Sequence, residues 1–154
     1  MTSLYDVSVP IIRESLQTAS SILRKGVKHA QANNISDADL LGARIYTDMV
    51  PLPNQILILH RVTERFIEKV AGRPTSTDLT GVLSPYEGNV QHLFDLLDEA
   101  IRDLDAVARE SVDGKEDFEF TFDLATQIRK ATGANYVHRY VVPYSMSFQP
   151  CVAH

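Results

Sequence analysis

The chain of 154 residues has one cysteine, Cys151, and no tryptophan. A single cysteine cannot close an internal disulfide and fits a reducing compartment, so the expected location is the cytoplasm. Aliphatic runs are short: the longest, Ile56 to Leu59, falls far below a membrane span. No basic stretch leads into an apolar one near the start, so no signal peptide is expected. There is no Gly-rich phosphate loop, no Gly-x-Ser-x-Gly elbow and no Cys-x-x-Cys. The chain therefore lacks the local signatures of nucleotide binding, serine hydrolysis and dithiol chemistry. Basic residues are outnumbered, 15 against 20 acidic, for a net charge of -5. Between Asp95 and Glu119 ten acidic residues face three basic ones, a surface that repels phosphates and speaks against nucleic acid.

What is present is an ordinary globular composition, 44% hydrophobic and 23% charged, in a length suited to one domain. Helical periodicity dominates. Ser8 and Pro10 mark a helix start, and Ile12, Leu16, Ala19, Leu23, Val27 and Ala30 form one apolar stripe. Ser36 with Asp39 predicts a capped short turn from Asp37 to Gly42. Pro51 and Pro53 open a second long helix with Ile56, Leu59, Thr63, Phe66 and Val70 inward, and Gly72-Arg73-Pro74 ends it. Ser84-Pro85-Tyr86-Glu87 reads as a capping box for a third helix, whose stripe Val90, Leu93, Leu97, Ile101, Leu104 and Ala108 extends to about Arg109. The period then changes. Phe118, Phe120 and Phe122 alternate with polar residues as in a half-buried strand, with a return strand near Gln127 to Lys130. A last helix from about Ala134 is expected to be interrupted at Pro143 and again at Pro150.

These elements predict a mainly all-α fold, an antiparallel four-helix bundle with a small β-hairpin before the last helix. The stretch Asn54 to Gly72, the preceding Ala43-Arg44, Asp48-Met49, Pro51-Leu52 and Gln55, and the Phe-rich hairpin resemble a branch of unknown function within the DinB/YfiT-like superfamily. The resemblance covers most of residues 4 to 143. It implies a bundle with a long crossover, often dimeric. It does not imply one activity, because the superfamily includes metal-dependent transferases, isomerases and orphans. Its fourth helix runs well past the position of Pro143, whereas here residues 144–154 carry Pro150 and no helical stripe. That tail is expected to be irregular or to contact a second subunit, giving a homodimer.

Metal-binding members of the superfamily resemble one another in a histidine on the second helix and a later pair four residues apart. Here His60 is suitably placed, but no His-x-x-x-His occurs, so no metal and no organic cofactor is expected. His60 sits on the apolar stripe and reads either as a bonded core histidine or as a pocket group. His29 suits a helix C-terminus, His92 lies off its stripe, and His154 is terminal. Tyr136, His138, Tyr140 and Tyr144 crowd the last helix, as packing or as donors that polarise a carbonyl. Asp48 and Gln55 flank the start of the second helix, as structural contacts or at a bundle mouth, with Arg44 an ion-pair partner for Asp48.

The leading expectation is a cofactor-independent enzyme that folds an apolar metabolite into a reactive shape and promotes isomerisation or cyclisation. The candidate catalytic residues are His60, His138, Tyr140 and Asp48, and the candidate substrate contacts are Arg44, Gln55, Tyr86 and Tyr136. Two alternatives stand beside it: a metal-dependent transferase using His60, His138 and a carboxylate such as Glu64, and a non-catalytic binding or dimerising module.

Overall fold

A computed structural model describes residues 2–44, 46–74, 84–124 and 127–146. Of the tail 144–154, expected to be irregular or to contact a second subunit, residues 144–146 are helical instead, and the rest, with Pro150, Cys151 and His154, lies outside the described residues. The fold is mostly helical with one small antiparallel sheet.

Helix α1 spans Val9–Ala32, with Pro10 in its first turn where a missing N–H costs little. It buries Val9, Ile12, Leu16, Ala19, Leu23 and Ala30; Val27 is half-buried against the same core. Helix α2, Asp37–Leu41, is capped by the Ser36 hydroxyl, which accepts from the Asp39 N–H at 3.1 Å. Helix α3, Leu52–Lys69, follows Pro51 and carries Pro53 in its first turn. Its inward face holds Ile56, Leu59, Thr63 and Phe66, and Val70 follows as the C-cap residue. Gly72 then takes φ +69°, the left-handed conformation that a Cβ would strain.

Helix α4 corrects the expected capping box. It spans Val90–Asp105, and its N-cap is Asn89, whose side chain accepts from the His92 N–H at 2.8 Å. Ser84 instead offers its carbonyl to Asn54 Nδ2 at 2.7 Å. The Tyr86 hydroxyl folds back to donate to the Asn89 carbonyl at 2.8 Å, and Gly88 leaves space for that ring. The prolyl tetrapeptide is thus a bend, and the Asx cap starts the helix. The far end also differs from expectation. The α4 stripe stops at Leu104, Ala108 is exposed, and a separate turn of helix, α5, occupies Arg109–Val112.

Strands β1, Glu119–Leu124, and β2, Gln127–Thr132, pair with Phe122 opposite Arg129 and Phe120 opposite Ala131. Phe122 is buried and Phe120 half-buried, but Phe118 is exposed at the hairpin end. Helix α6, Gly133–Tyr136, leads into a π turn over Val137–Val141, and helical backbone continues through residues 142–146. The expected interruption at Pro143 is therefore absent. The Val142 N–H donates to the Val137 carbonyl five residues back, so the helix widens just where a proline ring would collide with a carbonyl one turn earlier. Helices α1, α3 and α4 pack on one another, and the π turn packs on α3. Their shared core includes Leu16, Ile56, Phe66, Leu93, Leu97, Tyr136 and Val141.

Candidate functional site

Two groups of side chains stand out, one within α3 and one where the hairpin and the last helical segment meet it. The first centres on His60. Ile56, Leu59 and Thr63 are buried on the same helix, and their periodicity carries His60 into the interior with no exposed surface. Neither ring nitrogen has a hydrogen-bond partner among the described residues. Nε2 lies 3.9 Å from Glu99 Oε2 of α4, beyond hydrogen-bond range. Desolvation lowers the imidazole pKa from 6.5 to about 4; the charge of Asp103 opposes this and that of His92 reinforces it. At neutral pH His60 is therefore a neutral ring with one donor and one acceptor, both unspent. Glu64, one turn further along α3, is also buried.

The second group forms where the hairpin meets the last helical segment. Tyr136 is buried, and its ring stacks on Tyr140 with centroids 5.7 Å apart. Phe122 meets Tyr136 edge-on at 4.8 Å and Tyr140 at 4.9 Å, while Phe120 reaches Tyr136 at 5.2 Å. Arg65 places its guanidinium carbon 5.8 Å from the Phe122 centroid. Burial pushes the Tyr136 phenol well above its ordinary range, and the charges of Arg65 and Arg61 offset part of that rise.

The structure brings together only some of the residues singled out from sequence. Tyr136 and Tyr140 meet. His138, between them in sequence, is exposed, as is Asp48. The ion pair expected between Arg44 and Asp48 is not formed among the described residues; Arg44 Nη1 donates to the Thr47 carbonyl at 3.0 Å instead. Gln55 Nε2 donates to the Val50 carbonyl at 2.8 Å, bracing the approach to α3. Tyr86 stacks on His92, 6.3 Å between centroids and 9° between planes. Glu99 and Asp103 were hidden in the acidic stretch from Asp95 to Glu119. Arg61 and Arg65 were readable as an i,i+4 pair flanking the stripe, but only the hairpin's position shows what they face.

The superfamily's metal chemistry needs three protein ligands around one ion. Among the described residues no group of three His, Cys, Asp or Glu side chains is placed to hold a metal. Among the described residues His60 with Glu99 at 3.9 Å makes only a pair, short of such a centre.

The architecture defines a class: a mostly helical, DinB-like domain. Its backbone is similar to the crystal structure of a DinB family member protein from Shewanella denitrificans, with a TM-score of 0.75 and 15% identity, covering 97% of this chain and 82% of that one. At that identity the likeness concerns the fold. Residues 4–146 match the domain of unknown function DUF1993, and the chain belongs to that family. No curated protein matches it. No helix among the described residues is long and apolar enough to cross a membrane.

Proposed function

We propose that the chain is an antiparallel four-helix bundle that encloses an apolar metabolite beside His60 and promotes its isomerisation or cyclisation without a metal or organic cofactor. The carrying observation is the fully buried His60, with both ring nitrogens lacking a protein partner among the described residues. A buried polar group left unpaired costs about 1–3 kcal/mol, and a ligand bearing a carbonyl or hydroxyl would recover it. With a pKa of about 4, His60 is a weak base at pH 7 but a competent neutral donor. A neutral imidazole that polarises a carbonyl stabilises enolate-like charge in a dry site. Shape and proximity supply the rest. The exposed His138 and Asp48 fit the bundle's outer surface, where they would assist entry rather than chemistry, and a second copy against the tail remains part of this proposal.

The test is a panel of apolar carbonyl compounds drawn from the products of neighbouring genes. The expected result is a ligand-dependent rise in Tm together with accelerated or redirected cyclisation. His60→Leu should abolish turnover. Ligand stabilisation without turnover would instead support the non-catalytic binding module. Stoichiometric metal in purified protein, lost in His60→Ala, would replace this reading with the metal-dependent transferase.

A further inference from the structure

Arg61 and Arg65 stand one turn apart on α3, both half-buried. Neither has a carboxylate oxygen within 4.0 Å among the described residues. Arg13, Arg73 and Arg109 each reach an aspartate, and the other arginines that reach no carboxylate among the described residues, Arg24, Arg44, Arg102, Arg129 and Arg139, are exposed to water. A half-buried guanidinium has given up part of its hydration, and an anion is the partner that best replaces it.

The surroundings are built on the same side. Arg65 lies 5.8 Å from the Phe122 centroid, and Arg129 stands directly opposite Phe122 in the hairpin register, on the same face of the sheet. The rings of Phe122, Tyr136 and Tyr140 lock into one another, and Tyr140 keeps part of its surface open. The π turn Val137–Val141 follows Tyr136 and contains Tyr140, a backbone irregularity that is often found at functional sites. The charges of Arg61 and Arg65 both act on the Tyr136 phenol, and Arg65 also hydrogen-bonds it.

We propose that this face is a binding site for an oxyanion, a carboxylate or phosphate monoester, carried on a flat apolar body. Arg61 and Arg65 hold the charged oxygens with their planar forks, Arg129 adds charge at the rim, and the flat body lies against the tyrosines. The site does not depend on the reaction proposed for His60.

Naphthalene probes test it directly, because a chain without tryptophan leaves naphthalene fluorescence readable. Purified protein is titrated with 2-naphthoate, 2-naphthyl phosphate and the neutral 2-naphthamide. At least one anion should bind tenfold or more tightly than the amide and weaken as salt rises; the tighter of the two identifies the headgroup. Arg61→Gln and Arg65→Gln should each weaken the preferred anion by roughly tenfold to a hundredfold while leaving the amide unchanged. Arg65→Lys, which keeps the charge and loses the fork, should fall between. The exposed Arg129→Gln reports on the same site if an α3 variant fails to fold, and it should cost a smaller factor. Equal binding of anions and amide, or arginine variants that bind the anions like the wild type, would overturn the proposal.

Discussion

Lowering the pH from 7 to 4 should destabilise this protein through His60, and the size of the effect follows from its burial. In the folded chain desolvation lowers the imidazole pKa to about 4 against an ordinary 6.5. Below pH 6.5 the unfolded chain takes up a proton that the folded one refuses, so the unfolded state binds more protons and stability falls as pH falls. The loss starts near pH 6.5, runs at about 1.4 kcal/mol per pH unit in mid-range and levels off near pH 4. Over the whole window it amounts to about 3 kcal/mol, a large part of the ordinary stability of one domain. Denaturant unfolding of wild type and His60→Leu at half-unit pH steps isolates the term, because other groups cancel in the difference between the two proteins. The variant should match or exceed the wild type by about 1–3 kcal/mol at pH 7, since a leucine leaves no unpaired polar atom. Its advantage should then widen by about 3 kcal/mol toward pH 4. Asp6, held at about 2 chiefly by its hydrogen bond from Arg109, contributes stability that is full above pH 3.8 and lost below it, outside this window. Parallel curves from pH 7 to 4 would refute the reasoning. A wild type that gains on the variant as pH falls would show that Glu99 holds His60 charged.

Three local tests bear on the fold. Asn89→Ala should cost about 1 kcal/mol in denaturant unfolding, because the side-chain cap of α4 is lost, whereas Ser84→Ala should change stability by less than about 0.5 kcal/mol. Gly133→Ala should destabilise by about 1–3 kcal/mol or more, since a Cβ there would sit on the Lys115 backbone carbonyl oxygen and against Leu4; an unchanged Tm would contradict the close approach. Phe122→Ala should cost about 3–5 kcal/mol and flatten the near-ultraviolet circular dichroism of the tyrosines it packs against; an undisturbed tyrosine signal would place those rings elsewhere.

The long helices were legible because their stripes are repeated and redundant. Ile12 to Ala30 on α1 and Ile56 to Val70 around α3 each pair many apolar positions with proline or glycine at the ends, so pattern and punctuation agree. The hairpin was legible for the same reason, with three phenylalanines in strict alternation. The start of α4 was not. Ser84-Pro85-Tyr86-Glu87 and Asn89 are both credible caps, and the choice rests on where the Tyr86 hydroxyl goes and on Asn54 claiming the Ser84 carbonyl, thirty residues away in sequence. Pro143 misled in the opposite direction. A proline predicts a break only while the helix stays α, and the π turn before it changes which carbonyl the ring meets.

The candidate site divides along the same line. That His60 is buried could be read from its place on a stripe, since burial is a property of one helix face. That its nitrogens lack partners among the described residues depends on what α4 brings opposite, and Glu99 stops at 3.9 Å. Near-misses of that size set the chemistry. A hydrogen bond donated by His60 to Glu99 would stabilise the imidazolium and make His60 a base, whereas the gap leaves desolvation in control and makes it a neutral donor. The same holds for Arg61 and Arg65, which on an isolated helix read as a solvated pair. Only the packing of Phe122 and Tyr136 beside α3 turns them into two half-buried cations with no carboxylate in reach among the described residues. In both groups the groups with binding capacity left over lie on the flanks or interior of α3. Helix α3 thus supplies both the buried histidine and the two half-buried arginines on which the proposed sites rest.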